Sequence, residues 1–123
     1  MATLAVVICL KSMKLSSDLV IQDEKLTKYL LVYQTESDKS GYLALASYSL
    51  DNWEVFKSDI IKAMEVSEIA KVKQTNWGIQ FEVKSEWYGT NGRLIKVITI
   101  WQQDEGSDSV RFITIKPDRS QEN

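Results

Sequence analysis

The sequence predicts an α+β fold, with two to three N-terminal helices followed by a four-stranded antiparallel sheet. Apolar residues recur at helical spacing as far as Met64, and from there to the only proline, Pro117, the period drops to two. The period-two segments are joined by short polar turns, which pair neighbouring strands antiparallel.

The elements follow in order. Leu19 and Ile21 alternate like a short extended piece. Asp23 is placed to cap a helix over residues 24–32, with Leu26, Tyr29, Leu30 and Tyr33 on one face. "QTESDKSG" is a polar break, and Ser37 or Asp38 can cap a short helix over 39–47. "SLDNWEVFKSDIIKAMEV" is the clearest helix. Asp51 and Glu54 have capping-box spacing, and Trp53, Phe56, Ile60, Ile61 and Met64 recur on one side.

"IAKVKQT" then reads as a strand, followed by a turn at residues 76–78. "IQFEVKSEW" alternates cleanly, with Ile79, Phe81, Val83 and Trp87 facing one way and Gln80, Glu82, Lys84 and Glu86 the other. The turn "YGTNG" leads into "RLIKVITIWQQ", the turn "DEGSD" into "VRFITIK". "RLIKVITIW" is apolar at nearly every position, as in a central strand buried on both faces. Helices cover one face; a homodimer or a bound partner is the expected cover of the other.

Composition narrows the function. The chain has 123 residues, a length that fits one domain. A formal charge of −2 gives no global attraction for nucleic acid or an anionic membrane, so only a local basic patch can supply it. Histidine is absent, which removes the usual general acid–base, and with the single Cys9 it leaves no ligand set for structural zinc. No cofactor is expected. One cysteine permits no internal disulfide, so the cytoplasm is the default location. The apolar run at residues 4–10 is too short to span a membrane. That run reads as a first β-strand or as part of an extension, residues 1–14, outside the domain and upstream of a second possible start at Met13; the extension is the favoured reading. Residues 15–117 form the domain, and 118–123 a disordered tail.

Four blocks occur in one order: "EKLTKYLL" (24–31), "SDKSGYLALASYSLDNWEVF" (37–56), "YGTNGRLIKVITIW" (88–101) and "VRFITIKP" (110–117). Together they resemble a bacterial, mostly cyanobacterial, family of domains of unknown function. Related copies are fused to the C-termini of polymorphic toxins and phage-head proteins. The family's turn usually reads Gly-Pro-Asn-Gly-Arg; here Thr90 stands for the proline, a change of rigidity more than of chemistry. Helices followed by a four-stranded antiparallel sheet also look like small metal-independent ribonuclease toxins. The resemblance therefore implies two readings: a binding protein with a protein partner, or a ribonuclease acting on RNA.

Lys25, Lys39, Asn91, Arg93, Trp101, Thr114 and Lys116 lie in these blocks. A histidine-free ribonuclease needs cations on the phosphate, which Arg93 and Lys39 can supply, and a polar group such as Thr114 or Asn91 to orient the attacking oxygen. Trp101 can stack on a base. Each has a structural reading as well. Asn91-Gly92 is a hairpin dipeptide, Trp101 fits a core, and Lys25 fits a solvated helix face. Arg93 follows a turn that does not require it, and Glu86 or Asp108 is its expected structural partner.

Overall fold

The computed structural model describes residues 18–34 and 39–118. Cys9, the extension, the two caps offered for the second helix, and residues 119–123 lie outside them. The described chain runs β1 (Asp18–Val20), a π-helical turn (Lys25–Leu30), α1 (Ser40–Ala44), a 3-10 turn (Leu50–Asn52) and α2 (Trp53–Val66). It continues through β2 (Ile69–Thr75), β3 (Gly78–Tyr88), β4 (Leu94–Asp104) and β5 (Ser109–Pro117).

The sheet has five strands rather than four, in the order β1-β5-β4-β3-β2. β2 to β5 form the expected antiparallel meander, but β1 adds a parallel strand, with Leu19 opposite Val110. The extended piece is therefore part of the sheet at Leu19, while Ile21 lies just beyond β1. Its three paired residues are too few to carry a period, and their partner lies far along the chain.

The π-helical turn differs from the predicted helix in pitch. The Leu31 amide donates to the Leu26 carbonyl, five residues back, at 3.0 Å. That wider turn brings Leu26, Leu30 and Leu31 to the core and turns Tyr29 and Tyr33 outward, at 60% and 73% exposure. Asp23 does not cap it. Its carboxylate pairs with Lys57 at 2.8 Å instead.

α1 is shorter than predicted and gives way to a turn in which Ser47 adopts φ 64°. The capping box closes the 3-10 turn, upstream of the expected pair, and α2 has no side-chain cap of its own. Ser49 and Asn52 form the capping box, with the Ser49 amide donating to Asn52 Oδ1 at 2.8 Å, because the 3-10 turn intervenes before the helix. Phe56, Ile60, Ala63 and Met64 then face the sheet, while Trp53 and Ile61 are only partly buried.

β4 is the middle strand, as its apolar run suggests. Ile95, Val97, Thr99 and Trp101 are fully buried under the helices, whereas Lys96, Ile98 and Ile100 on the other side are half-buried. It is therefore buried deeply on one face only.

The hairpin between β3 and β4 is tied down at its tip. Gly92 takes φ 82°, which closes a three-residue loop whose ends are joined by the Gly89 amide and the Arg93 carbonyl at 2.8 Å. Thr90 donates its amide to the Ala46 carbonyl, and Asn91 Nδ2 donates to the Leu45 carbonyl at 2.9 Å. Gly89 lies so close to Ala46 that a Cβ there would come within 2.4 Å of it. The tip thus docks on the turn after α1.

Asn91→Ala is expected to lose about 1 kcal/mol of stability, the usual worth of such a bond. Arg93→Ala should change it by less than about 0.5 kcal/mol, since that exposed side chain makes no bond among the described residues. Urea unfolding of the two variants checks the pair.

Candidate functional site

Where β5 bulges against β4, Trp101 faces Phe112 and Ile100 faces Thr114, so Ile113 has no opposite residue. Two lysines close on this point. Lys25, from the π-helical turn, donates from Nζ to the Ile113 carbonyl at 3.1 Å. Lys39, at the start of α1, donates from Nζ to Thr114 Oγ1 at 3.2 Å. A cleft of about 580 Å³ opens beside them, walled by Lys25, Tyr29, Leu30, Ile113 and Thr114. Burial pushes the Lys25 ammonium below its ordinary pKa, and the nearby Arg111 charge adds to this. A cation held under that penalty is favoured by an arriving anion, which the cleft has room to admit.

The sequence-predicted residues divide on the structure. Lys39 and Thr114 are in contact, Lys25 sits at the adjacent residue, and Lys116 lies two positions further along β5. Arg93 stands apart. Lys116 is opposite Ile98, and Arg93 precedes Ile98 by five positions, about 16 Å along a strand. Its guanidinium is exposed and forms no ion pair with Glu86 or Asp108. Asn91 is committed to the hairpin tip. Trp101 is fully buried on the helix side, with Nε1 donating to Thr99 Oγ1 at 2.9 Å.

Strand alternation builds a second surface. On the face that carries none of the described helices lie Lys71 and Lys73 of β2, Lys84 of β3, Lys96 of β4, and Arg111 and Lys116 of β5. Ile98 and Ile100 stand in its middle. Those six cations stand among the carboxylates Asp18, Glu82, Glu86, Asp104 and Asp118, although the whole chain is net negative. Arg111 and Asp104 form a two-bonded pair at 2.9 and 3.2 Å, which lowers the carboxyl pKa of Asp104. Asp118, read from sequence as solvated tail, is buried, and its amide donates to the Lys96 carbonyl at 2.9 Å.

The alternation of "IQFEVKSEW" separates Lys84 from the apolar residues of β3, whereas in "IAKVKQT" it takes the bulge at Ala70 to part Lys71 and Lys73 from Ile69. What alternation lacked was the knowledge that the described helices all pack on the other side. Among the described residues, no three His, Cys, Asp or Glu side chains group as metal ligands, and no helix is long and apolar enough to cross a membrane.

The family model of a domain of unknown function, DUF6883, matches residues 13–119. Among solved structures, similarity extends to a chain of the contact-dependent growth inhibition toxin–immunity protein complex from Klebsiella pneumoniae 342. It covers 84% of this chain and 94% of that one, with a TM-score of 0.61 and 19% sequence identity. At that identity the likeness is one of fold. No curated protein matches.

Proposed function

The chain belongs to the DUF6883 family of domains of unknown function, and from that premise we propose that it is a cytoplasmic, non-catalytic binding protein of a toxin–immunity system. Its partner is the acidic surface of another protein. The observation that carries this reading is the sheet face opposite the described helices, where cations gather around Ile98 and Ile100 on a chain of net charge −2. An apolar centre with a charged surround is the anatomy of a protein interface, and the charge segregation selects an acidic partner. The fold shared with a chain of a toxin–immunity complex supports it.

One observation favours the other reading, a metal-independent ribonuclease. Lys39 Nζ and Thr114 Oγ1 meet at 3.2 Å, close to Lys25 and Lys116, and such a group can hold a phosphate. Against it, Lys25 and Lys39 already donate to the fold, and Arg93 lies too far away to join them.

Inducible expression in a bacterial host separates the two. The binding reading expects growth equal to the empty vector, and purified protein that leaves total RNA intact. Growth arrest relieved by Lys39→Ala and Thr114→Ala would sink it in favour of the ribonuclease.

A further inference from the structure

Among the described residues the sheet has four stretches of strand edge: β1 offers only three residues, and two of the other three stretches are blunted. Beyond β1, the free side of β5 loses its Ile113 carbonyl to Lys25 and ends at Pro117, which has no amide hydrogen. β2 is short, is bulged at Ala70, and carries Lys71 and Lys73. The third stretch has none of these devices. β2 pairs with β3 only as far as Val83, whereas β3 continues to Tyr88, and no described strand covers the remainder.

The hydrogen-bonding direction along this stretch follows from its ends. The Gly89 amide bonds the Arg93 carbonyl, so odd-numbered residues of β3 bond β4. Even-numbered residues face the β2 side. The amides and carbonyls of Glu86 and Tyr88 therefore point to the open edge. A groove of about 1090 Å³ borders the same edge, walled by Val66, Ile69, Ser85 and Glu86 among others. Val66 is 76% exposed and Tyr88 68%.

We propose that the open edge of β3, at Glu86 and Tyr88, receives an extended segment of the protein partner as an added antiparallel strand. The segment lies in line with β2. Backbone groups of an extended chain are the chemical complement of a free edge, and alternate side chains give the specificity. Ser85 is already met on that side by Ser67, whose Oγ accepts from Ser85 Oγ at 2.8 Å, so the segment begins beyond it. The segment's side chain opposite Trp87 points toward the helix side, where an apolar group covers the exposed Val66. The side chain opposite Glu86 is cationic. A second copy is the poorer occupant, because self-pairing centred on this edge sets Glu86 against Glu86. The inference deepens the partner-binding reading and rests on it, yet the edge is tested separately from the basic face.

Amide hydrogen exchange on the isotope-labelled chain is the test. In the free protein the Glu86 and Tyr88 amides should exchange freely, while Ser85 and Trp87, bonded to β4, should be slower by roughly a hundredfold or more. A blocked seven-residue peptide alternating valine with threonine, with lysine at its centre, serves as probe at millimolar concentration. It should protect Glu86 and Tyr88. The protection should persist in Glu86→Gln, vanish in Glu86→Pro, and pass in Glu86→Lys to the same peptide with a central glutamate. Protection of Glu86 and Tyr88 in the free chain overturns the inference, as does a peptide that leaves both amides unprotected. A concentration-dependent dimer abolished by Glu86→Pro would also overturn it, by assigning the edge to a second copy. Growth arrest on expression with the exchange pattern intact would instead sink only the binding reading.

Discussion

Trp101→Ala is expected to lower stability by about 3–5 kcal/mol, the range for removing a fully buried large aromatic. The indole has no solvent exposure, lies edge-on to Phe112 at 5.3 Å, and donates to Thr99 Oγ1. Thr99 Oγ1 in turn donates to the Val83 carbonyl at 3.3 Å, so the side chain joins β4 to β3 as well as to β5. Alanine removes the packing and leaves a void that three rigid strands cannot close. Urea unfolding measures the loss. Trp77, 72% exposed at the turn between β2 and β3, is the control, and its alanine variant should fall within about 0.5 kcal/mol of the parent. A base-stacking role for Trp101 would require the reverse: unchanged stability and a defect seen only with RNA.

That contrast shows what a linear sequence can reveal. Period two in "IQFEVKSEW" identifies β3 and its faces, because burying one side of a strand needs nothing beyond local alternation; Phe81 and Val83 are buried, Lys84 and Glu86 exposed. The segment around Trp101 is apolar on both sides of the strand, so alternation gives no direction. Which face receives the helices is decided by Leu26, Leu43 and Phe56, all distant in sequence. β1 was legible as extended but not as sheet, since a parallel pairing leaves no turn signature. The capping box was misplaced because Ser49-x-x-Asn52 and Asp51-x-x-Glu54 both offer an oxygen and a partner three residues on. Only the intervening 3-10 turn selects the first.

The candidate site was harder to read for the same reason. Lys39 and Thr114 are 75 positions apart, and Lys25 and Ile113 are 88 apart. Each residue stands in a block of its own, and nothing local says the blocks meet. The β5 bulge brings them together by leaving one carbonyl without a strand partner. Arg93 is legible as unneeded by its turn, and the structure leaves it without an ion pair, but it does not join the lysines.

Tyr48→Phe is expected to cost about 2–3 kcal/mol at neutral pH, through loss of one hydroxyl serving two partners. Tyr48 Oη donates to Asp59 Oδ2 at 2.6 Å and accepts from Trp87 Nε1 at 2.8 Å, linking α2 to β3. Phenylalanine keeps the contact with Phe56, whose ring centre is 4.7 Å away, and orphans both polar groups. The pH dependence separates this bond from packing. Burial raises the phenol above its ordinary pKa of 10.0, and the bond to Asp59 raises it further. In the window above pH 10 the unfolded chain has lost that proton while the folded chain retains it. The unfolded state then binds fewer protons, so stability falls as pH rises, at most about 1.4 kcal/mol per pH unit for one group. Lys25 acts in the opposite sense and in a lower window. Its folded pKa is depressed below 10.5, so its contribution rises toward that value and levels off above it. Unfolding free energies measured on both proteins from pH 8 to 11 should therefore converge above pH 10, because the variant lacks the group that titrates. A gap that stays constant across that range would mean that the hydroxyl contributes only packing.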